Sequence, residues 1–207
     1  MDRLAILGAS GHGKVVADTA IEAGWRSIAF FDDASVEPSF GRWPILGDTE
    51  SLCSSLKAFS GVIIGIGNNR VRLRKQKALL EAGALFPSLV HPRAYVSRDA
   101  RIGAGSVVFA GAVVQPGVVL GSGVIVNTAA TVDHDCMVAD GAHICPGAHL
   151  AGGVEVGECA WVGIGAAVKQ CVSIGSDAMV GAGAVVVSDI ASGITVVGIP
   201  AAPTPRS

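Results

Sequence analysis

Residues 124–150 read VIVNTAATVDHDCMVADGAHICPGAHL. Within this stretch an aliphatic side chain recurs every six positions, at Val126, Val132, Val138, Ile144 and Leu150. The same step extends outward from Val90 to Val186, through seventeen aliphatic positions with no interruption. A small residue stands two places before most of them, as at Ala94, Ala112, Ala130, Cys136, Ala142, Ala160 and Ala178. Glycine often follows directly, as at Gly103, Gly121, Gly157 and Gly163. A helix repeats every 3.6 residues and a strand every two, so neither explains a period of six. A β-solenoid whose short strands turn a corner every six residues does. Three strands make a triangular coil of about eighteen residues, which predicts about five coils. The aliphatic residues stack inside and the small ones fit the corners. The glycines are expected where φ must be positive.

The first part of the chain has another pattern. Residues 4–7, 28–31, 62–66 and 85–86 read as short buried strands. Residues 12–23, 49–58 and 71–81 read as helices, with Thr49 as an N-cap and the last helix basic and amphipathic. Strands alternating with helices predict a small Rossmann-like parallel sheet. Residues 1–88 would form this α/β domain and residues 89–207 the solenoid, with 87–92 as junction.

Composition narrows the function. Half of the 207 residues are apolar and 15% are charged, for a net charge of −2. That balance argues against nucleic acid or an anionic membrane as partner. No leader-like segment and no apolar run long enough to span a bilayer is expected. Five cysteines with no CxxC spacing point to reduced thiols in a cytoplasmic protein, not a disulfide framework or zinc knuckle.

The first strand ends in GASGHGKVV, residues 8–16. A P-loop needs Ser or Thr after its lysine, and Val15 stands there. A dinucleotide fingerprint runs G-x-G-x-x-G, whereas this turn runs G-x-x-G-x-G. What remains is a glycine turn opening a helix, which presents free N–H groups and a positive dipole end to phosphate. Ser10, His12 and Lys14 add polar groups. Ligands of parallel sheets sit beyond the carboxyl ends of the strands, where Asp32-Asp33 and GIGNN (65–69) also lie. The set describes a nucleotide pocket; the alternative is three merely polar turns.

GASGHG, FFDD (30–33), GIGNN and a hexapeptide prism containing NTAATVDHD (127–135) together resemble the sialic-acid O-acetyltransferase and nucleotide-sugar N-acetyltransferase group of the hexapeptide acyltransferases. The resemblance covers essentially the whole chain. It implies a left-handed parallel β-helix that associates as a homotrimer, with active sites in the grooves between subunits. It implies acetyl transfer from acetyl-CoA, without a metal, to the amino group of a nucleotide-linked amino sugar of the UDP-4-amino-sugar or GDP-perosamine type. A sialic-acid-type O-acetyltransferase is the enzymatic alternative, and a non-catalytic scaffold solenoid the alternative of another class. By position Ser10, Gly11, His12, Asp32, Asp33 and Gly67 would bind the nucleotide sugar. His143 would lie near the thioester, and Ile164 and Ala182 would contact the coenzyme through backbone. His134 would be the general base and Asp135 its helper.

The chemistry suits those residue types. A sugar amine is mostly ammonium at neutral pH and must lose a proton before it attacks a thioester. An imidazole, with a pKa of about 6.5, is suited to take it. A carboxylate beside the ring holds its tautomer. Consecutive strand residues point to opposite faces, so contact between His134 and Asp135 requires the corner of the coil or help from a neighbouring subunit. His134, His143 and His149 lack the eighteen-residue spacing that stacks side chains in one chain, which argues against a three-histidine zinc site. Cys136, at an inward small-residue position, is expected to pack and not to attack. Many members of the group carry Lys or Arg directly after the closing P-A, where this chain has Ala202; Lys169 and Arg206 are the candidate replacements for anchoring phosphate.

Overall fold

A computed structural model describes residues 3–204. It begins with a three-stranded parallel sheet in the order β2-β1-β5, formed by β1 (Arg3–Leu7), β2 (Ser27–Phe31) and β5 (Gly61–Ile64). All but the first residue of β1 and of β2 are buried, and β5 is buried throughout, as expected of a parallel sheet covered on both faces. Helix α1 (Gly11–Glu22) follows β1, α2 (Thr49–Ser55) follows β2, and α3 (Asn69–Glu81) follows β5. A hairpin of β3 (Ser39–Phe40) and β4 (Trp43–Pro44), not foreseen from sequence, packs its aromatic rings on Phe30.

Three local expectations need correction. Asp48, not Thr49, caps α2, its carboxylate accepting the Ser51 N–H at 2.9 Å. Residues 85–86 form no strand; the Leu85 carbonyl accepts the Val62 N–H at 2.8 Å and the chain then leaves the sheet. β5 ends at Ile64, because Gly65 must pack its Cα against the glycine turn: a Cβ there would lie 2.8 Å from the Gly8 oxygen.

From Leu89 onward the chain winds a left-handed parallel β-helix of about six turns, one more than the sequence count. Its two-residue strands stack in three faces. The first face runs from Leu89–Val90 to Thr195–Val197 and ends in the antiparallel Ala202–Pro203; the second runs from Tyr95–Val96 to Val185–Val186; the third from Arg101–Ile102 to Ser173–Ile174. The eighteen-residue register pairs Val108 with Val126, Val126 with Ile144, and Ile144 with Val162. Both the aliphatic row and the small-residue row point inward: Val132, Ile144, Ala130, Cys136 and Ala142 are fully buried. Burial of each large aliphatic chain contributes about 1.5–3 kcal/mol. The last turn is shorter, with Val180 paired to Val196 and Ile174 to Ile190.

The glycines after the aliphatic row are not the ones with positive φ. They stand where the next coil passes too close for a Cβ, which at Gly157 would lie 2.4 Å from the Ser176 nitrogen. Positive φ falls two residues later, at the second turn position, as at Gly111 (71°) and Gly147 (63°).

The N-terminal sheet docks on the first face. Leu4, Ile6, Phe30 and Val16 share a core with Leu89, Val107, Phe109 and Ile125. Helix α3 lies along the corner between the third and first faces, where Asn69 Nδ2 donates to the Cys159 and Ala160 carbonyls (3.0 Å each) and Gln76 Nε2 to Ala104 (2.7 Å).

Candidate active site

The glycine turn is built by close approach. Gly8 has φ 117°, and a Cβ on Gly13 would lie 2.1 Å from the Gly8 oxygen. By contrast a Cβ on Gly11 or Gly67 would meet nothing within 4 Å, so both glycines border open space. Ser10 caps α1, accepting the Gly13 N–H at 3.5 Å, and donates to the Gly65 carbonyl at 3.1 Å. Asp32 accepts the N–H groups of Ala9, Ala34 and Ser35 at 2.7–2.9 Å and so fixes the turn. Asp33 accepts from Lys75 Nζ (2.6 Å) and the Thr49 N–H (2.8 Å), and the lysine holds its carboxyl down at a pKa of about 2. The polar groups offered by the sequence thus mostly have partners inside the chain.

His12, in the first turn of α1, meets the solenoid. Its ring packs edge-on against Phe109 (centroids 5.6 Å) and lies 6.3 Å from the ring of His143. His143 begins a first-face strand with Ile144. It points outward yet is only 5% exposed, because Trp161, 4.4 Å away edge-on, and the docked N-terminal unit cover it. Asn127 lies one coil earlier, its Nδ2 2.9 Å from His143 Nε2. Burial, reinforced by the positive charge of Arg72, lowers His12 to a pKa of about 4 and His143 to about 3. Both rings are therefore neutral at physiological pH.

Arg72 is the residue sequence reasoning missed. It is 2% exposed and every N–H has an acceptor: Nε on Gly123 O, Nη1 on Ile66 and Gly67 O, Nη2 on Asn69 Oδ1 and Gly141 O, at 2.7–3.2 Å. It ties the GIGNN turn to two coils. The signal was present: the inward face of α3 reads Asn69, Arg72, Leu73, Gln76, Leu79, so polar residues occupy apolar spacing.

His134 and Asp135 lie elsewhere, at the turn between the second and third faces. The corner lets neighbouring residues touch: His134 Nδ1 is 2.8 Å from Asp135 Oδ2, with Asp135 at φ 60°. Asp133 accepts the His134 N–H at 2.8 Å. Two glycines make room, since a Cβ on Gly152 would lie 2.5 Å from His134 Nε2 and one on Gly117 2.5 Å from Asp135 Oδ1. The hydrogen bond that His134 donates to Asp135, then the charge of Asp133, raise the His134 pKa above its ordinary value. The side chains are 63% and 73% exposed. In a three-sided prism this corner is opposite the first face. One chain therefore does not bring His134 together with His12 and His143.

Ile164 and Ala182 stack at the corner between the first and second faces, where the Gly183 N–H donates to the Ile164 carbonyl at 2.8 Å. Ile164 is 60% exposed. Burial raises the Cys145 thiol to about 12 and also raises Cys136, whose Sγ contacts the Ala151 carbonyl, so neither is an activated nucleophile. Among the described residues no group of three or more His, Cys, Asp or Glu is placed to hold a metal ion, and no helix is long and apolar enough to cross a membrane. Arg206 lies outside the described residues.

Residues 3–79 match the family model of the PglD N-terminal domain. Across 98% of each chain, the protein is 47% identical, at a TM-score of 0.95, to the acetyltransferase domain of PglB from Neisseria gonorrhoeae, solved with acetyl coenzyme A. It is 36% identical, at a TM-score of 0.93, to PerB from Caulobacter crescentus, solved with CoA and GDP-perosamine; the match covers 98% of this chain and 97% of that one. A UDP-N-acetylbacillosamine N-acetyltransferase of Bacillus subtilis is 36% identical over 111 residues, 52% of this chain and about half (51%) of that relative's length. With this coverage and identity to the two solved structures, the chain belongs to the nucleotide-sugar N-acetyltransferases of the hexapeptide acyltransferase group.

Proposed function

We propose that the protein transfers acetyl from acetyl-CoA to the amino group of a nucleotide-linked amino sugar, as a cytoplasmic homotrimer. The observation that carries this reading is the meeting of His12, from the glycine turn, with His143, from the solenoid, each with a buried ring nitrogen that has no partner among the described residues. Such atoms are rare unless a ligand or water completes them. Residues 1–88 hold the nucleotide sugar: open space at Gly11 and Gly67 admits it, Ser10 and His12 line the turn, and Asp32 and Asp33 keep the strand ends in shape. Residues 89–207 hold the coenzyme, with Ile164 and Ala182 along one corner and His143 at the acyl group.

His134 acts from a neighbouring subunit. Asp135 accepts its Nδ1–H, which leaves Nε2 as the basic nitrogen. The substrate ammonium loses one proton to solvent through Nε2, and the free amine attacks the thioester carbonyl carbon. The new C–N bond forms, the neutral Nε2 takes a second proton from the attacking nitrogen, the C–S bond breaks as the tetrahedral intermediate collapses, and the departing thiolate takes that proton from the imidazolium. A buried N–H donor beside the carbonyl stabilises the oxyanion, a contact commonly worth 10²–10³ in rate.

Purified protein is tested with acetyl-CoA, a thiol reporter, and a panel of UDP-, GDP- and CMP-linked sugars and free sugars. Thiol release is expected with UDP- or GDP-linked 4-amino sugars. Release with free sugars, or with CMP-sialic acid whose acceptor is a hydroxyl, and not with nucleotide amino sugars, would overturn the proposal in favour of O-acetylation.

A further inference from the structure

The hydrogen bonds around His143 fix which nitrogen carries its proton. Asn127 Oδ1 accepts the Thr128 N–H at 2.8 Å and the Thr128 hydroxyl at 3.3 Å. The oxygen therefore faces Thr128, and the amide nitrogen faces His143 Nε2 at 2.9 Å. An amide NH₂ only donates, so Nε2 accepts and bears no hydrogen. The ring is neutral, in keeping with its low pKa, and its single hydrogen sits on Nδ1. That atom is buried and has no acceptor among the described residues.

We propose that Asn127 is a positioning residue that holds His143 as its Nδ1–H tautomer and so keeps a buried donor ready for an acceptor oxygen of the ligand. Naming that oxygen as the thioester carbonyl rests on the acetyltransferase reading; the tautomer does not. The logic parallels that of a carboxylate that selects a histidine tautomer, but here a neutral amide presents a donor and selects the opposite protonation of the facing nitrogen. The backbone makes the pairing possible. Ile125–Val126 and His143–Ile144 are adjacent parallel strands on the first face, and Asn127 directly follows the first of them.

The test substitutes Asn127→Asp in the full chain. The carboxylate keeps the acceptor for Thr128 and presents a second acceptor to Nε2, so a hydrogen moves to Nε2. Long-range ¹⁵N–¹H spectra of the imidazoles report this without coenzyme or sugar. The parent protein is expected to show His143 with Nδ1–H, and Asn127→Asp to show Nε2 protonated. The pattern of His149, hydrogen-bonded to Thr131 on the second face, stays unchanged as internal reference. In turnover, kcat falls roughly 10²-fold, as for a lost oxyanion donor, with KM for the nucleotide sugar unaltered; Asn127→Ala, which adds no charge, gives a smaller loss. An Nε2–H parent ring, an unaltered pattern in Asn127→Asp, or an unaltered kcat overturns the proposal. The parent spectrum decides the tautomer even if the variants fold poorly. Absence of turnover by the parent with every nucleotide sugar would instead overturn the acetyltransferase reading.

Discussion

At the scale of single residues, the protein divides its histidines by environment. His134 is exposed and raised in pKa by its carboxylate neighbours; His12 and His143 are enclosed and lowered. A general base works when unprotonated, so the acid limb of kcat/KM is expected above the ordinary imidazole range. Asp135→Asn removes the main cause of the raised value, and the limb should move to lower pH while kcat falls; an immobile limb would dissociate Asp135 from the titration. His134→Ala should lower kcat by about 10²–10⁴, typical of a lost general base, with assembly by size-exclusion unaltered. The enclosed rings predict a stability effect of definite sign. Their folded pKa values, about 4 and about 3, lie below the unfolded 6.5. The unfolded chain therefore binds more protons below pH 6.5, and stability should decline as pH falls through that point. Melting temperature measured between pH 7.5 and 5 checks this, and His143→Asn should flatten the slope. The contact of His134 with Asp135 was legible because the two are consecutive and the repeat sets where a corner falls. Arg72 was missed although its spacing with Leu73 and Leu79 places it on the inward face, because the backbone carbonyls that make an inward arginine tolerable come from distant coils.

At the scale of the element, the coil is the unit. Its interior accepts apolar side chains only, and each coil is closed by its neighbours. Val132 is fully buried between Val114 and Leu150. Val132→Asp should cost on the order of 3 kcal/mol or more, since its charge finds no partner there, and should yield aggregated or unfolded protein in place of a sharp melting transition. A native-like melt would contradict the register. The period of six revealed the strands and the inward rows, because core packing repeats faithfully in a solenoid. It did not reveal what each glycine does. Absence of a side chain serves close approach at Gly157 and a left-handed turn at Gly147, and the letter is the same for both. Nor did it foresee the 85–86 segment leaving the sheet, since two apolar residues alone are too short to define a strand.

At the scale of the whole molecule, the decisive fact is that the proposed base and the pair His12–His143 occupy opposite sides of the prism. The proposed function therefore requires a site shared between subunits, and that requirement can be tested by complementation. His134→Ala and His143→Ala proteins, each reduced about 10²-fold or more in kcat when alone, are mixed under conditions that exchange subunits. If each site takes one residue from either neighbour, random cyclic trimers restore roughly a quarter of the parental sites. No recovery would mean that both residues act from one chain, which the geometry of the faces opposes.

The sequence by itself determined the prism, the small parallel sheet and the kinship, because a core repeated every six residues and a glycine turn leave their pattern in the order of residues. Only the tertiary structure decided what stands beside what. It buried His143 under the docked sheet, turned Arg72 inward to hold that sheet in place, gave Asp32 and Asp33 internal partners, and set His134 at the far corner. The physical reason is that each of these depends on contacts between segments 20 to 70 residues or more apart, such as Arg72 with Gly141, Ala9 with Asp32 and Asp33 with Lys75. Burial, pKa and hydrogen-bond partner are properties of such contacts, and no local pattern encodes them.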